Sequence, residues 1–141
     1  MLSFDMNLIK ECEKLLAKNK ICAVSSVTED GYPRICIMVA LKTESIKNFY
    51  FSCSASSVKV ENYKNNAKAG VTFWYGGDSV TLTGEMTVVN NKTLKDSLWR
   101  ESLSRHFING GKDDPEYCII KFTSREAKVL FGGHYETIKI K

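Results

Sequence analysis

Between Val80 and Val88 the chain alternates without a slip. Val80, Leu82, Gly84, Met86 and Val88 take one parity, and Thr81, Thr83, Glu85 and Thr87 take the other. A period of two puts these sets on opposite faces of a β-strand, one for a core and one for water. Sheets with one wet face are antiparallel as a rule. The neighbouring segments agree. Gly76-Gly77-Asp78 supplies hairpin residues between this strand and another at Ala69 to Tyr75. Upstream, Ile21 to Val27, Ile35 to Leu41 and Phe49 to Phe51 read as strands, with Glu29-Asp30-Gly31-Tyr32-Pro33 as turn chemistry and 43–48 as a polar connection. Their spacing predicts an antiparallel meander. Tyr117 to Phe122 and Ala127 to Phe131 complete the strands.

Helical periodicity appears three times. Leu8, Ile9, Cys12, Leu15 and Leu16 fall on one face of a helix that Ser3 or Asp5 is placed to cap and that Asn19-Lys20 ends. Val58 to Asn65 forms a short helix with Val60 and Tyr63 on one side, and Asn91 to Leu103 forms a third with Leu94, Leu98 and Trp99 on one face. Phe107 to Pro115 is a loop, and the tail from Gly132 to Lys141 is expected to find order only by packing on something else. Six to seven strands joined by short turns, with about three peripheral helices and no strand–helix–strand alternation, give a mainly β, α+β fold: a small antiparallel barrel. With 141 residues, no repeat and no linker, residues 1–141 are read as one domain.

The composition excludes several classes. Hydrophobic residues make up 43% of the chain, enough for a core without disulfide staples. No apolar run approaches the roughly 18 residues of a membrane span. An acid at Asp5 stands where an export signal would be basic, so a cytoplasmic location is expected. The net charge of +4 is spread along the chain, whereas nucleic-acid binders concentrate Lys and Arg on one stripe. The five cysteines Cys12, Cys22, Cys36, Cys53 and Cys118 contain no CxxC pair, and only His106 and His134 accompany them. These are free thiols of a reducing compartment rather than a zinc site.

The most informative stretch is Ser52-Cys53-Ser54-Ala55-Ser56-Ser57, six small residues in front of the second helix. Ser56 or Ser57 stands at the N-cap and Lys59 in the first turn. Free N–H groups at a helix N-terminus, a hydroxyl and an ammonium group together suit a phosphate. A plain serine cap with a solvated lysine is the competing reading. The strand Ile35 to Leu41, apolar on both faces, requires either burial of both or a ligand on one. Beside a phosphate site, such a wall suits a planar phosphorylated cofactor.

Three groups of residues carry a family resemblance: Asp30-Gly31-Tyr32-Pro33 to Met38; Phe49-Tyr50-Phe51-Ser52-Cys53 to Ser57-Val58-Lys59; and Leu98-Trp99, Phe107 to Pro115 and Ile119 to Thr123 in order. Over residues 5–131 the chain resembles the FMN-binding split-barrel family of pyridoxamine 5′-phosphate oxidase, in its short general-stress-protein branch. The resemblance implies a homodimer of split β-barrels with FMN near the subunit interface. It implies that Ser57 and Lys59 hold the FMN phosphate and that the backbone of Cys36, Ile37 and Met38 runs along the isoalloxazine ring. The implied cofactor-contacting set is Arg34, Cys36, Ile37, Met38, Ser52, Cys53, Ser57, Val58 and Lys59.

Cys36 stands where the family often has arginine, and Cys53 where it often has threonine. Arg34, two residues earlier on the same strand face, is the replacement for the lost charge. A thiol at Cys53 donates only a weak hydrogen bond. These departures point to weaker FMN binding, or to another flavin-like ligand. Gly132 to Lys141 offers no match to the substrate-binding extension of the larger oxidases beyond His134 and Tyr135, so oxidation of vitamin B6 is not expected. The functional expectation is an FMN-dependent oxidoreductase whose small-molecule electron donor and acceptor are open. The alternatives are a non-catalytic flavin sensor or store, and a binder of haem or a deazaflavin in the same pocket.

Overall fold

The computed structural model describes residues 3–141, with side chains from residue 5 onward. One helix, α1 (Ser3–Lys18), precedes a hairpin of β1 (Ile21–Val27) and β2 (Pro33–Val39). Then come β3 (Lys42–Glu44), β4 (Asn48–Ser54), α2 (Val58–Asn65), β5 (Lys68–Tyr75), β6 (Asp78–Val89), α3 (Lys92–Leu98), β7 (Tyr117–Phe131) and β8 (His134–Lys139). All eight strands belong to one antiparallel sheet in the order β2-β1-β5-β6-β7-β4-β3, with β8 beside β7. The sheet rolls into a half-barrel.

Hydrophobic parity explains the roll. In β6, Val80, Leu82, Gly84 and Met86 are buried and Thr81, Thr83, Glu85 and Thr87 are exposed, as the alternation requires. Phe49 and Phe51 of β4, Phe73 of β5 and Phe122 of β7 meet inside, their ring centroids 5.8–6.3 Å from that of Phe49. Cys12, Leu15 and Leu16 of α1 pack on the same core. Tyr50, Leu98, Phe107, Tyr117 and Ile119 form a second cluster on the other side of β4 and β7. Both faces of these two strands are therefore covered.

The structure corrects four expectations. First, there are eight strands: the polar connection after Leu41 contains β3, and Tyr117 to Phe131 is one strand of 15 residues rather than two. Second, the tail is ordered by its own chain, since β8 pairs residue for residue with Glu126–Phe131. Its burial pattern, with Ile138 as the one buried position, is too sparse to show as alternation. Third, the first three strands are not a meander. β4 pairs with β3 and β7, on the far side of the sheet from β2. Fourth, the third helix stops at Leu98, and Glu101–Leu103 is a separate 3-10 turn. Asn91 caps α3 by accepting from the Leu94 amide at 3.1 Å. For α1, the Ser3 side chain lies outside the described residues, and Asp5 sits within the first turn, where its charge suits the helix dipole.

Gly84 marks the tightest approach between strands. The β6–β7 register shifts between Thr83 and Gly84. A Cβ at this position would collide with the Thr123 carbonyl oxygen and stand 2.9 Å from both the Phe122 ring and the Ser124 Cα. Backbone atoms of a central strand cannot give way cheaply. Gly84→Ala is expected to destabilise the fold by about 1–3 kcal/mol, read as a lower urea midpoint at unchanged slope.

Candidate functional site

The sheet does not close between β2 and β4. The chain crosses between them at Ala40-Leu41, where Ala40 N–H donates to the Lys20 carbonyl at 2.9 Å and Leu41 N–H to the Tyr50 carbonyl at 2.8 Å. The Arg100 guanidinium also donates to the Leu41 carbonyl. From this tie the two strands diverge. A cavity of about 340 Å³ lies between them, walled by Ile37, Met38 and Val39 on one side and Ser52, Cys53 and Ser54 on the other. Lys59 lines its α2 end, and Leu103, His106 and Phe107 roof it.

A second, larger concavity of about 890 Å³ surrounds the start of α2, lined by Thr28, Glu29 and Asp30 of the β1–β2 turn, by Ala55 to Val58, and by Glu61, Asn62 and Asn65. The loop leading into it is held from outside. Glu116 accepts from Ser56 N–H at 3.1 Å and Ser56 Oγ at 2.6 Å, and Ala55 N–H donates to the Glu116 carbonyl at 2.9 Å. The helix is held from inside. Tyr63 Oη donates to the Ser25 carbonyl at 2.9 Å and Asn62 Nδ2 to Ser26 Oγ at 3.2 Å.

Ser57 is the N-cap of α2 by position, yet its side chain makes no capping bond. Its Oγ is shielded from solvent and has no hydrogen-bond partner among the described residues. A buried hydroxyl left unpaired costs about 1–3 kcal/mol, so the plain-cap reading does not account for this serine. Lys59 makes no ion pair among the described residues. The first N–H groups of an α-helix have no partner within the helix, so a hydroxyl, amides and an ammonium group stand around the start of α2, Ser57 on the larger concavity and Lys59 on the smaller one. This donor set suits a phosphate.

The other sequence-selected residues are placed as follows. Ile37, Met38, Ser52, Cys53 and Lys59 share the smaller cavity, and Ser57 and Val58 line the larger one. Arg34 and Cys36 line neither. Arg34 is exposed, on the same strand parity as half-buried Cys36 and buried Met38. The strand is apolar on both faces, but its outer face is not covered: Ile35, Ile37 and Val39 are 68%, 63% and 51% exposed. Trp99 and Phe107 pack against Tyr117, with centroids 5.1 and 5.2 Å from its ring, so packing is a role of both. His134 and Tyr135 sit exposed at the start of β8.

Sequence reasoning missed His106 and Leu103 in the roof, and Glu116 as the clamp on Ser56. His106 and Glu116 lie in turns and Leu103 ends a single 3-10 turn, and only the folded chain brings them to the opening. The thiols of Cys53 and Cys118 lie side by side on β4 and β7. Hydrogen bonding to Cys118, and then burial, push the Cys53 thiol up, whereas the bond from Cys53 and the Lys95 and Lys64 charges bring Cys118 down to about 7. Burial, with smaller contributions from Cys36 and Cys53, also raises the Tyr63 phenol.

A split antiparallel half-barrel with a phosphate-suited helix end in its opening defines a class of small-ligand-binding fold. The sequence profile described as Pyridoxamine 5′-phosphate oxidase matches residues 8–131, and the chain belongs to that family. No curated protein sequence matches it. Among solved structures it is similar to a protein related to general stress protein 26 of B. subtilis (pyridoxinephosphate oxidase family) from Clostridium acetobutylicum, at 28% identity over 95% of each chain with a TM-score of 0.84. General stress protein 26 from Bacillus anthracis shares the fold at 21% identity, over 94% of this chain and 98% of that one, with a TM-score of 0.80. A pyridoxamine 5′-phosphate oxidase-related, FMN binding protein from Nostoc punctiforme shares it at 10% identity, over 97% and 95%, with a TM-score of 0.71.

The roof depends on Asp114, which is buried and accepts from Asn109 N–H and Glu116 N–H, both at 2.9 Å. Asp114→Ala strands two amides and loosens the loop that carries His106 and Phe107. The expected cost is about 1–3 kcal/mol, seen as a lower unfolding midpoint together with faster amide exchange across 105–116.

Proposed function

We propose that this chain binds FMN as a homodimer and acts as a flavin-dependent oxidoreductase. The observation that carries the reading is the unpartnered, buried Ser57 Oγ at the start of α2, with Lys59 two residues further on. FMN supplies hydride and single-electron chemistry when bound, so the protein's work is binding, orientation and exclusion of water. Ser57 Oγ, the first α2 amides and the Lys59 ammonium hold the phosphate. Backbone groups of Cys36 to Met38 offer donors and acceptors to the ring edge, and Ile37 and Met38, on opposite faces of the strand, line the cavity that receives it. Leu103 and Phe107 keep water from the roof. Arg34 contributes positive charge on the Cys36 face of the strand. No protein acid or base is required by this arrangement.

The FMN departures named in the sequence remain part of the reading. Cys53 holds a thiol where a hydroxyl would bind better, and the loss of one good donor corresponds to about 1.5–3 kcal/mol, roughly tenfold to a hundredfold in affinity. Oxidation of vitamin B6 is not proposed, because β8 carries no cluster of cationic and aromatic side chains turned toward the opening.

The homodimer rests on the outer face of β2. Ile35, Ile37 and Val39, with Ile21 of β1 and Tyr32 of the turn, form an exposed apolar patch along a sheet edge. A patch of this kind on a small domain marks an interaction surface, and a second copy related by a twofold axis covers it and adds a wall to the adjacent cavity.

The first test is the absorption spectrum of purified protein before and after addition of FMN and desalting. The expected result is a retained, shifted flavin band at one FMN per subunit. Lys59→Ala is expected to weaken FMN binding tenfold to a hundredfold, the equivalent of about 1.5–3 kcal/mol, and riboflavin binding far less. Equal losses for the two ligands sink the phosphate role. Steady consumption of NADH or NADPH with an added acceptor separates an oxidoreductase from a flavin sensor or store. A second reading draws on His106, an exposed histidine that lines the cavity. That reading is a haem site, and a Soret band after haem addition, lost in His106→Ala, supports it over FMN.

In sedimentation velocity at micromolar concentration the protein is expected to run as a dimer. Ile35→Lys places a charge in the centre of the patch and is expected to yield a folded monomer with an unchanged far-ultraviolet circular dichroism spectrum. A wild-type monomer contradicts the assembly.

A further inference from the structure

The five cysteines are free and fall into three groups. Cys12 and Cys22 are fully buried, and burial pushes both thiols up to about 12, which leaves them inert near neutral pH. Cys36 stands half-buried on β2. Cys53 and Cys118 are buried too, but as a pair. They are directly opposed across the β4–β7 ladder, and both belong to the barrel-side core cluster, so their side chains leave the sheet on the same face.

Opposed residues of an antiparallel pair have Cα atoms about 4.5–5.5 Å apart, inside the roughly 4.4–6.8 Å that a disulfide spans. Each thiol is the largest influence on the ionisation of the other. Cys53 also lines the smaller cavity, as Lys59 does, so a small solute entering there comes up beside the pair.

We propose that Cys53 and Cys118 form a redox-active dithiol site that a small hydroperoxide entering the cavity converts to a disulfide. The Cys118 thiolate, its proton released to solvent, attacks the terminal peroxide oxygen. An S–O bond forms, the O–O bond breaks, and the alcohol or water leaves after taking the Cys53 proton. The Cys53 sulfur then attacks the Cys118 sulfenic acid, the S–S bond forms, and the departing hydroxide takes a proton from solvent and leaves as water. Two thiols and one hydroperoxide become one disulfide, one alcohol (or water, from hydrogen peroxide) and one water. The sulfur pair is oxidised by two electrons and the peroxide is reduced by two. The site does not depend on FMN, and the strands that carry it are already paired, so no backbone rearrangement is needed.

The test treats the whole reduced protein with stoichiometric hydrogen peroxide at neutral pH, alkylates the remaining thiols under denaturing conditions, and maps the peptides by mass spectrometry. The expected product is a single disulfide joining the Cys53 and Cys118 peptides, with Cys12, Cys22 and Cys36 alkylated, and full reversal by dithiothreitol. A disulfide involving Cys36, or oxidation of single cysteines to sulfinic acid without a disulfide, overturns the proposal. In Cys53→Ser the second step has no sulfur to complete it. A sulfenic acid trapped by dimedone at Cys118 is then expected, and the absence of any adduct there in the folded variant overturns the order of the steps. The wild-type map decides the existence of the site even where the variant does not fold.

Discussion

The fifteen residues of β7 hold the rest of the structure in place. One edge pairs with β6 along nearly its full length. The other edge is shared: β4 takes Tyr117–Thr123, and β8 takes Glu126–Phe131. Its N-terminal half is covered on both faces, by Phe122 and Ile120 in the barrel and by Tyr117 and Ile119 in the second cluster. From Ile119 to Thr123 the strand thus has a ladder on both edges and a packing surface on both faces. Ser124 sits at the handover between β4 and β8, where its hydroxyl donates to the Ile46 carbonyl at 2.7 Å. That bond keeps a buried hydroxyl satisfied at the one place where the ladder changes partners. β4, and with it the wall of the cavity and the small-residue loop, takes its position from this strand.

The other wall is built differently. β2 hangs on β1 alone, as the last strand of the sheet. Half of its side chains fill the barrel and the other half face outward with no cover from this chain. The opening therefore has one rigid side, embedded between two cores, and one side anchored by a single ladder. The donors at the start of α2 belong to the rigid side. Tyr63 and Asn62 pin the helix to β1, and Glu116 pins the preceding loop to the start of β7. Burial of the Ser57 hydroxyl without a partner is a cost that this bracing sustains, so the amides and the hydroxyl are oriented before any ligand arrives.

Much of the fold could be read from the residues, because parity is a strong signal where one face is wet. β1 and β6 and the hairpin between β5 and β6 declare themselves by alternation and turn chemistry. The parts that could not be read have physical reasons. β8 buries only Ile138 and follows a Gly132-Gly133 turn, so it has almost no parity to show. The position of β4 across the sheet from β2 is a long-range pairing, and the local sequence carries no trace of it. For the candidate site, the segment 52–59 was visible because a run of small residues before a helix stands beside a strand that is apolar on both faces. Its shape was not: His106, Leu103 and Glu116 reach the opening only through loops, and the adjacency of Cys53 and Cys118, 65 positions apart in the chain, depends on the β4–β7 register. Cysteine counting predicts free thiols but cannot say which two are neighbours.

The crossover at Ala40-Leu41 carries a last consequence. At that end the two walls are tied by backbone hydrogen bonds and by a covalent path of a few residues, and the Arg100 side chain anchors Leu41 from outside. At the Arg34 and Ser57 end the link is indirect: Tyr63 and Asn62 of α2 bond to β1, and β2 hangs on β1. The arrangement is that of tongs with a fixed pivot: a small change in the twist of β2 barely alters the gap near Leu41 and opens or narrows it most beside the helix N-terminus. The width of the mouth is thus governed by whatever rests against the outer face of β2, and a neighbour seated there acts on the far end of the cavity as a hand on the handle.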